Sequence, residues 1–118
     1  MSAPEQQLSL HPLGDFKGGW FVGDFSPTLF PAQAVEVAVK YYKAGDFEAA
    51  HVHRVATEFT VITSGRVRMN GIEIGPGTVV RVPPGCATDF SALTDVCTAV
   101  VKLPCVRGDK FPAPQSHA

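Results

Sequence analysis

His51 and His53 stand two residues apart, and Glu58 follows five residues after His53. In a β-strand, residues two apart project from the same face, so the two imidazoles are presented side by side. Five is an odd spacing, and simple alternation would send Glu58 to the other face. The carboxylate must therefore come from a following strand, after a bend at residues 55–57. Two histidines and one carboxylate brought together this way form a 2-His-1-carboxylate facial set. Such a set leaves coordination positions open for water, substrate or dioxygen and suits iron(II), manganese, nickel, cobalt or zinc. The pair alone also fits a half-buried strand whose imidazoles face solvent, so the flanking sequence has to decide.

Those flanks are strands. Residues 34–43 alternate: Val35, Val37, Val39 and Tyr41 share one face, and Glu36, Lys40 and Tyr42 the other. The half-polar face reads either as exposed or as lining a pocket with Lys40 and Tyr42. Residues 48–54 carry the histidines, with Glu48 read as a surface carboxylate. Residues 58–63 form a strongly β-prone run in which Thr60 and Ile62 share the face of Glu58 and point into the interior. Asn70-Gly71 predicts a type I′ hairpin between residues 66–69 and 72–74, because both central positions of that turn need positive φ; Arg66 and Arg68 then face solvent. Strands over residues 78–82, 87–91 and 96–103 follow, punctuated by Gly75-Pro76-Gly77 and Pro83-Pro84-Gly85. Many short strands without a helix-period segment predict an antiparallel sandwich or small barrel.

The 118 residues fit one domain: an arm over residues 1–33 with a short aromatic strand at 20–25, a core over 34–103, and a proline-bearing tail over 104–118 expected to lie on the surface and fray. A hydrophobic fraction of 45% supports a packed core, and a net charge of -1 gives no electrostatic reason to expect nucleic acid or an anionic membrane as a partner. Cys86, Cys97 and Cys105 form no CxxC and fit free thiols in a reducing compartment. No basic-then-apolar leader and no apolar run of about 20 residues is visible, so a cytoplasmic protein is expected.

Residues 45–65 resemble the first motif of the cupin superfamily, G(X)5HXH(X)3-4E(X)6G: Gly45, His51, His53, Glu58 and Gly65 meet every position. Gly77, Pro83 and Gly85 meet the first half of the second motif, G(X)5PXG(X)2H(X)3N. Its second half departs: Thr88 stands where the last histidine ligand usually sits, and Ala92 where asparagine often does. The resemblance covers roughly residues 34–103. It implies an all-β, cupin-type jelly-roll barrel (double-stranded β-helix) and a divalent metal held by His51, His53 and Glu58, with Thr88, Thr60 and Tyr42 lining the pocket. Thr88 is a poor ligand but can hydrogen-bond a bound water or substrate. Asp89 or Cys86 would supply a substitute ligand only after a shift of register.

Three functions are compatible with these residues. The first is a metal-dependent dioxygenase, isomerase or lyase acting on a small polar organic substrate. The second is a metal-free enzyme using histidine as an acid/base on a nucleotide-linked sugar, as some cupins do. The third is a non-catalytic barrel that holds a small ligand. A homodimer is expected in each case, because the edges of an open small barrel need covering and small cupins commonly pair.

Overall fold

A computed structural model describes residues 7–113. Within them the chain forms two short 3-10 turns, Leu13–Asp15 and Lys17–Gly19, and then strands only. In order these are β1 (Trp20–Val22), β2 (Glu36–Tyr42), β3 (Phe47–Val52), β4 (Thr57–Ser64), β5 (Val67–Met69), β6 (Ile72–Ile74), β7 (Val79–Val82), β8 (Thr88–Ala92), β9 (Val96–Leu103) and β10 (Phe111–Pro112). One sheet runs β1-β2-β9-β4-β7 and the other β10-β3-β8-β5-β6, with every pairing between strands antiparallel. This is the expected all-β jelly roll, a double-stranded β-helix. The first six residues of the expected arm and the last five of the expected tail lie outside the described residues.

Turn chemistry fixes the connections. Asn70 and Gly71 take φ of 51° and 79°, as a type I′ hairpin between β5 and β6 requires. Gly65, the last position of the first motif, has φ of 84°, and a Cβ there would lie 2.1 Å from the carbonyl oxygen of Asp95. Only glycine fits that turn. Gly77, also at φ of 84°, has open space where a Cβ would go.

The interior is divided along its length. At one end Ile62, Val67, Met69, Phe90, Ala92 and Val96 pack into an apolar plug, with Tyr42, Ile74 and Val80 against it. The Tyr42 and Phe90 rings lie 4.5 Å apart. Toward the other end the inward positions turn polar: Lys40 on β2, Glu58 and Thr60 on β4, Thr98 and Lys102 on β9. The half-polar face of β2 is thus a cavity wall, while Tyr41 on its opposite face is 73% exposed.

One expectation about the ends is corrected. The segment after Leu103 does not fray within the described residues: Cys105 and Asp109 are buried, and β10 pairs with β3, Phe111 opposite Val52 and Pro112 opposite His51. The aromatic arm lies on its own barrel, with β1 on the edge of β2 and Trp20 lining the cavity. Gly65→Ala should lower the unfolding free energy by about 2 kcal/mol or more, whereas Gly77→Ala should cost about 1 kcal/mol, because only Gly65 adds a clash to the αL penalty. Urea denaturation of the two variants checks the contrast.

Candidate functional site

His53 lies one residue past the end of β3, where the backbone leaves the sheet. Arg54, Val55 and Ala56 form the bend that the odd spacing to Glu58 demands. The Asp109 carboxylate holds it. Oδ1 accepts from the Arg54 N–H at 2.7 Å, Oδ2 from the Ala56 N–H at 2.9 Å, and both oxygens from the Val55 N–H at 3.2 Å. The Asp109 backbone carbonyl accepts from His53 Nδ1 at 2.5 Å. The second motif ties in at the same point, since the Gly85 N–H donates to the His53 carbonyl at 2.7 Å. Burial alone would raise the Asp109 carboxyl pKa; the three amide donors together outweigh it and hold it below its ordinary value.

After the bend, β4 carries Glu58 to the same wall. His53 Nε2 stands 3.5 Å from Glu58 Oε1, and Thr60 Oγ1 donates to Glu58 Oε2 at 3.0 Å. His53 is 5% exposed, and its Nε2 is buried with no hydrogen-bond partner. Glu58 raises the His53 pKa against the effect of burial. Burial would raise Glu58, but His53 and Thr60 lower it.

His51 lies on the same wall with its ring edge-on to that of His53, centroids 5.0 Å apart. It is half-buried, and desolvation lowers its pKa. Its Nδ1 lies 3.3 Å from the Ala49 carbonyl of its own strand. Across the sheet, the partner of His51 is Thr88, which is buried and lines the cavity. Tyr42 lines it too, its hydroxyl donating to Glu48 Oε1 at 3.2 Å. Desolvation first, and Glu48 second, push the Tyr42 phenol up, so it stays a neutral donor.

The expected residues His51, His53, Glu58, Thr60, Thr88 and Tyr42 all border one cavity of about 150 Å³. Among the described residues no three His, Cys, Asp or Glu side chains stand already closed around one point; His53 and Glu58 face each other, and His51 stands off. The substitute ligands do not take part. Asp89 lines the cavity, but its Oδ1 is taken by the Asn70 N–H at 2.6 Å. The Cys86 thiol points to the Ala87 carbonyl.

Glu48 is not a surface carboxylate: it borders the cavity. Glu48 pairs with Phe90 and His51 with Thr88, so three steps on β3 face two on β8. That extra residue is a β-bulge at Ala49-Ala50, which changes the parity and puts Glu48 and His51 on one side. Lys102, Lys110 and Trp20 also border the cavity. Lys102 had a signal in sequence, since it continues the inward series Thr98, Val100, Lys102. Asp109 had none, because its partners lie more than 50 residues away.

No protein-family profile matches the chain, and no curated protein matches it in sequence. Solved structures do resemble it. An uncharacterized protein with a double-stranded beta-helix domain from Klebsiella pneumoniae superposes with a TM-score of 0.68 at 17% identity, over 98% of this chain and 99% of that one. The DMSP lyase DddQ from Ruegeria pomeroyi gives 0.65 at 21% identity, over 83% of this chain and 52% of that one. Oxalate decarboxylase from Bacillus subtilis gives 0.61 at 17% identity over 69% of this chain, which spans 24% of that protein. These likenesses show the fold, a double-stranded β-helix. No helix among the described residues is long and apolar enough to cross a membrane.

Asp109→Asn keeps one acceptor and loses the charge, so it should cost about 2 kcal/mol of stability at neutral pH. The folded pKa of Asp109 lies below its unfolded value. Its contribution is therefore present above the unfolded value and lost as pH falls through the folded one. The deficit of the variant against the wild type should shrink from about pH 4 downward. Thermal denaturation of both proteins across pH checks this.

Proposed function

We propose that this chain is a small metal-binding cupin that acts on a small polar organic molecule at His51, His53 and Glu58. The observation that carries the reading is the buried, unpartnered Nε2 of His53 facing the Glu58 carboxylate. With the Nδ1 proton donated to the Asp109 carbonyl, a neutral His53 ring turns a bare lone pair toward a carboxylate oxygen. Two acceptors face to face in a buried site call for a positive charge between them, either a metal ion or a proton. At 3.5 Å the atoms are too far apart for a strong charge-assisted hydrogen bond, which runs about 2.7–2.9 Å. Two ligand atoms that share one ion at about 2.1 Å each lie roughly 3.0–3.4 Å apart, closer to the observed 3.5 Å than a hydrogen bond is, and this favours the metal. A carbonyl fixing the distal ring nitrogen is also the usual support of a metal-bound histidine.

The residues present fit such an ion. His53 and Glu58 would hold it from two strands, and His51 would complete the set from the first. A divalent transition ion there supplies Lewis acidity or oxygen activation at its open positions. The protein's own groups do the rest. Asp109 fixes the orientation of His53, Thr60 fixes one oxygen of Glu58, and Thr88 offers a hydroxyl beside His51. Tyr42 offers a neutral phenol, and the apolar plug keeps water from entering behind. Solved relatives in fold include enzymes, among them a lyase and a decarboxylase, which supports a catalytic rather than a storage role.

The proton is the competing reading, a metal-free site in which His53 is an acid/base paired with Glu58. The raised His53 pKa favours it. Elemental analysis of the purified chain separates the two. Near-stoichiometric iron, manganese, nickel, cobalt or zinc is expected, falling at least tenfold in His53→Ala. A folded wild type that takes up none of these ions when each is supplied overturns the metal reading.

Two further expectations belong here. A homodimer is supported by the outward face of the first sheet, where Val37, Val39, Phe59, Val61, Val79, Ala99 and Val101 present an apolar surface whose one charged side chain is Arg81 on its edge strand. Sedimentation velocity should give twice the chain mass, and Val61→Lys together with Val101→Lys should give the monomer. Free Cys86, Cys97 and Cys105 support a reducing, cytoplasmic setting.

A further inference from the structure

The charged groups around the cavity are unequally partnered. Of the carboxylates, Glu58 is engaged by His53 and Thr60, Glu48 by Tyr42, and Asp89 by the Asn70 amide. Of the cations, Lys102 is committed: its Nζ lies 2.7 Å from Glu36 Oε1, and both side chains are largely buried. Lys40 has no such partner. Among the described residues no carboxylate comes within 4.0 Å of its ammonium, which instead lies 5.4 Å from the centroid of the Trp20 ring. Lys102 approaches that ring at 4.8 Å, so two ammonium groups lie near one indole at the cavity wall. Lys110 borders the same cavity and is exposed.

A second observation points to an occupant. Thr98, opposite Lys40 in the β2–β9 register, lines the cavity with a buried hydroxyl that has no hydrogen-bond partner. A half-buried ammonium with no carboxylate in contact and a buried hydroxyl with no partner both leave hydrogen-bonding capacity open to a ligand, and the ammonium can only donate. Burial lowers the Lys40 pKa, helped by Lys110 and Lys102, and Glu48 and Glu58, near but not in contact, do not offset it. The cavity of about 150 Å³ lies below the roughly 300–1,000 Å³ of sites that take drug-sized ligands, so the occupant is small.

We infer that the molecule bound here is a small organic acid, whose carboxylate is taken by Lys40, with Lys110 as the outer cation and the Trp20 indole as part of the wall. The inference rests on the reading of His53 and Glu58 as the reacting end, and it adds the anchoring end. The acid enters through the polar mouth, its carboxylate stays at the lysines, and the rest of the molecule extends toward His53.

Calorimetric titration of the purified chain, with its metal content measured in the same samples, tests this. The probes are acetate, malonate and succinate, with malonamide as the uncharged counterpart of malonate. At least one acid should bind at millimolar concentration or below, and malonate should bind at least about tenfold more tightly than malonamide. Lys40→Met should weaken the best acid at least about tenfold with metal content unchanged, and Lys40→Arg should retain most of the affinity. Failure of all three acids to bind, equal binding of malonate and malonamide, or wild-type affinity in a folded Lys40→Met variant overturns the inference. An acid that binds only by coordinating the metal would lose affinity in His53→Ala and keep it in Lys40→Met, which also overturns it. A chain without metal that still binds acid through Lys40 upholds the anchoring end and refutes the metal reading alone.

Discussion

The site depends on one clamp. The Asp109 carboxylate accepts three consecutive amide hydrogens at the bend between β3 and β4, and its backbone carbonyl fixes the ring of His53. Three amide groups at a bend have no ladder partner, and leaving them buried and unpaired would be expensive. By satisfying them, Asp109 makes the odd spacing between His53 and Glu58 affordable. The same residue chooses the tautomer of His53, so shape and chemistry at this point share one cause. Asp109 sits just before β10, and pairing of β10 with β3 is what delivers it. The segment that follows the last long strand is therefore part of the site.

The barrel interior is graded from apolar to polar, and the gradient places the chemistry. The plug around Ile62 and Val67, both fully buried, closes one end. At the other end, Glu58 and Lys102 are each tied down by a specific partner, because burying an unpaired ion costs several kcal/mol, and Lys40 is the cation left without one among the described residues. The tie between Lys102 and Glu36 is reinforced by the Cys105 thiol, which donates to the second Glu36 oxygen at 2.9 Å. These ties leave His53 Nε2 and Thr98 Oγ1 as buried polar atoms without partners, and both border the cavity. Orphaned polar atoms at the edge of an empty space mark where a ligand's own polar atoms belong.

Much of this was legible in the sequence where it rested on local rules. Alternation put His51 beside His53, the odd spacing demanded a bend before Glu58, and Asn70-Gly71 announced its hairpin. The strand over Val96–Leu103 was readable from its β-branched run. What escaped depends on relations that sequence spacing does not carry. Glu48 looked outward because parity places it opposite His51, and only the bulge at Ala49-Ala50 reverses that. The face of β2 with Lys40 and Tyr42 could be read as exposed or as pocket wall, because a polar cavity and solvent select the same residue types. Asp109 was invisible because its partners are distant in the chain, and the prolines around it resembled those of a loose end.

The central claim is that a cation belongs between His53 Nε2 and Glu58. An anomalous-difference map from crystals of the chain grown with manganese(II) tests it most directly. One strong peak is predicted within about 2.3 Å of both atoms and within reach of His51. A map with no peak there, in which His53 and Glu58 remain paired across an empty gap, would contradict it.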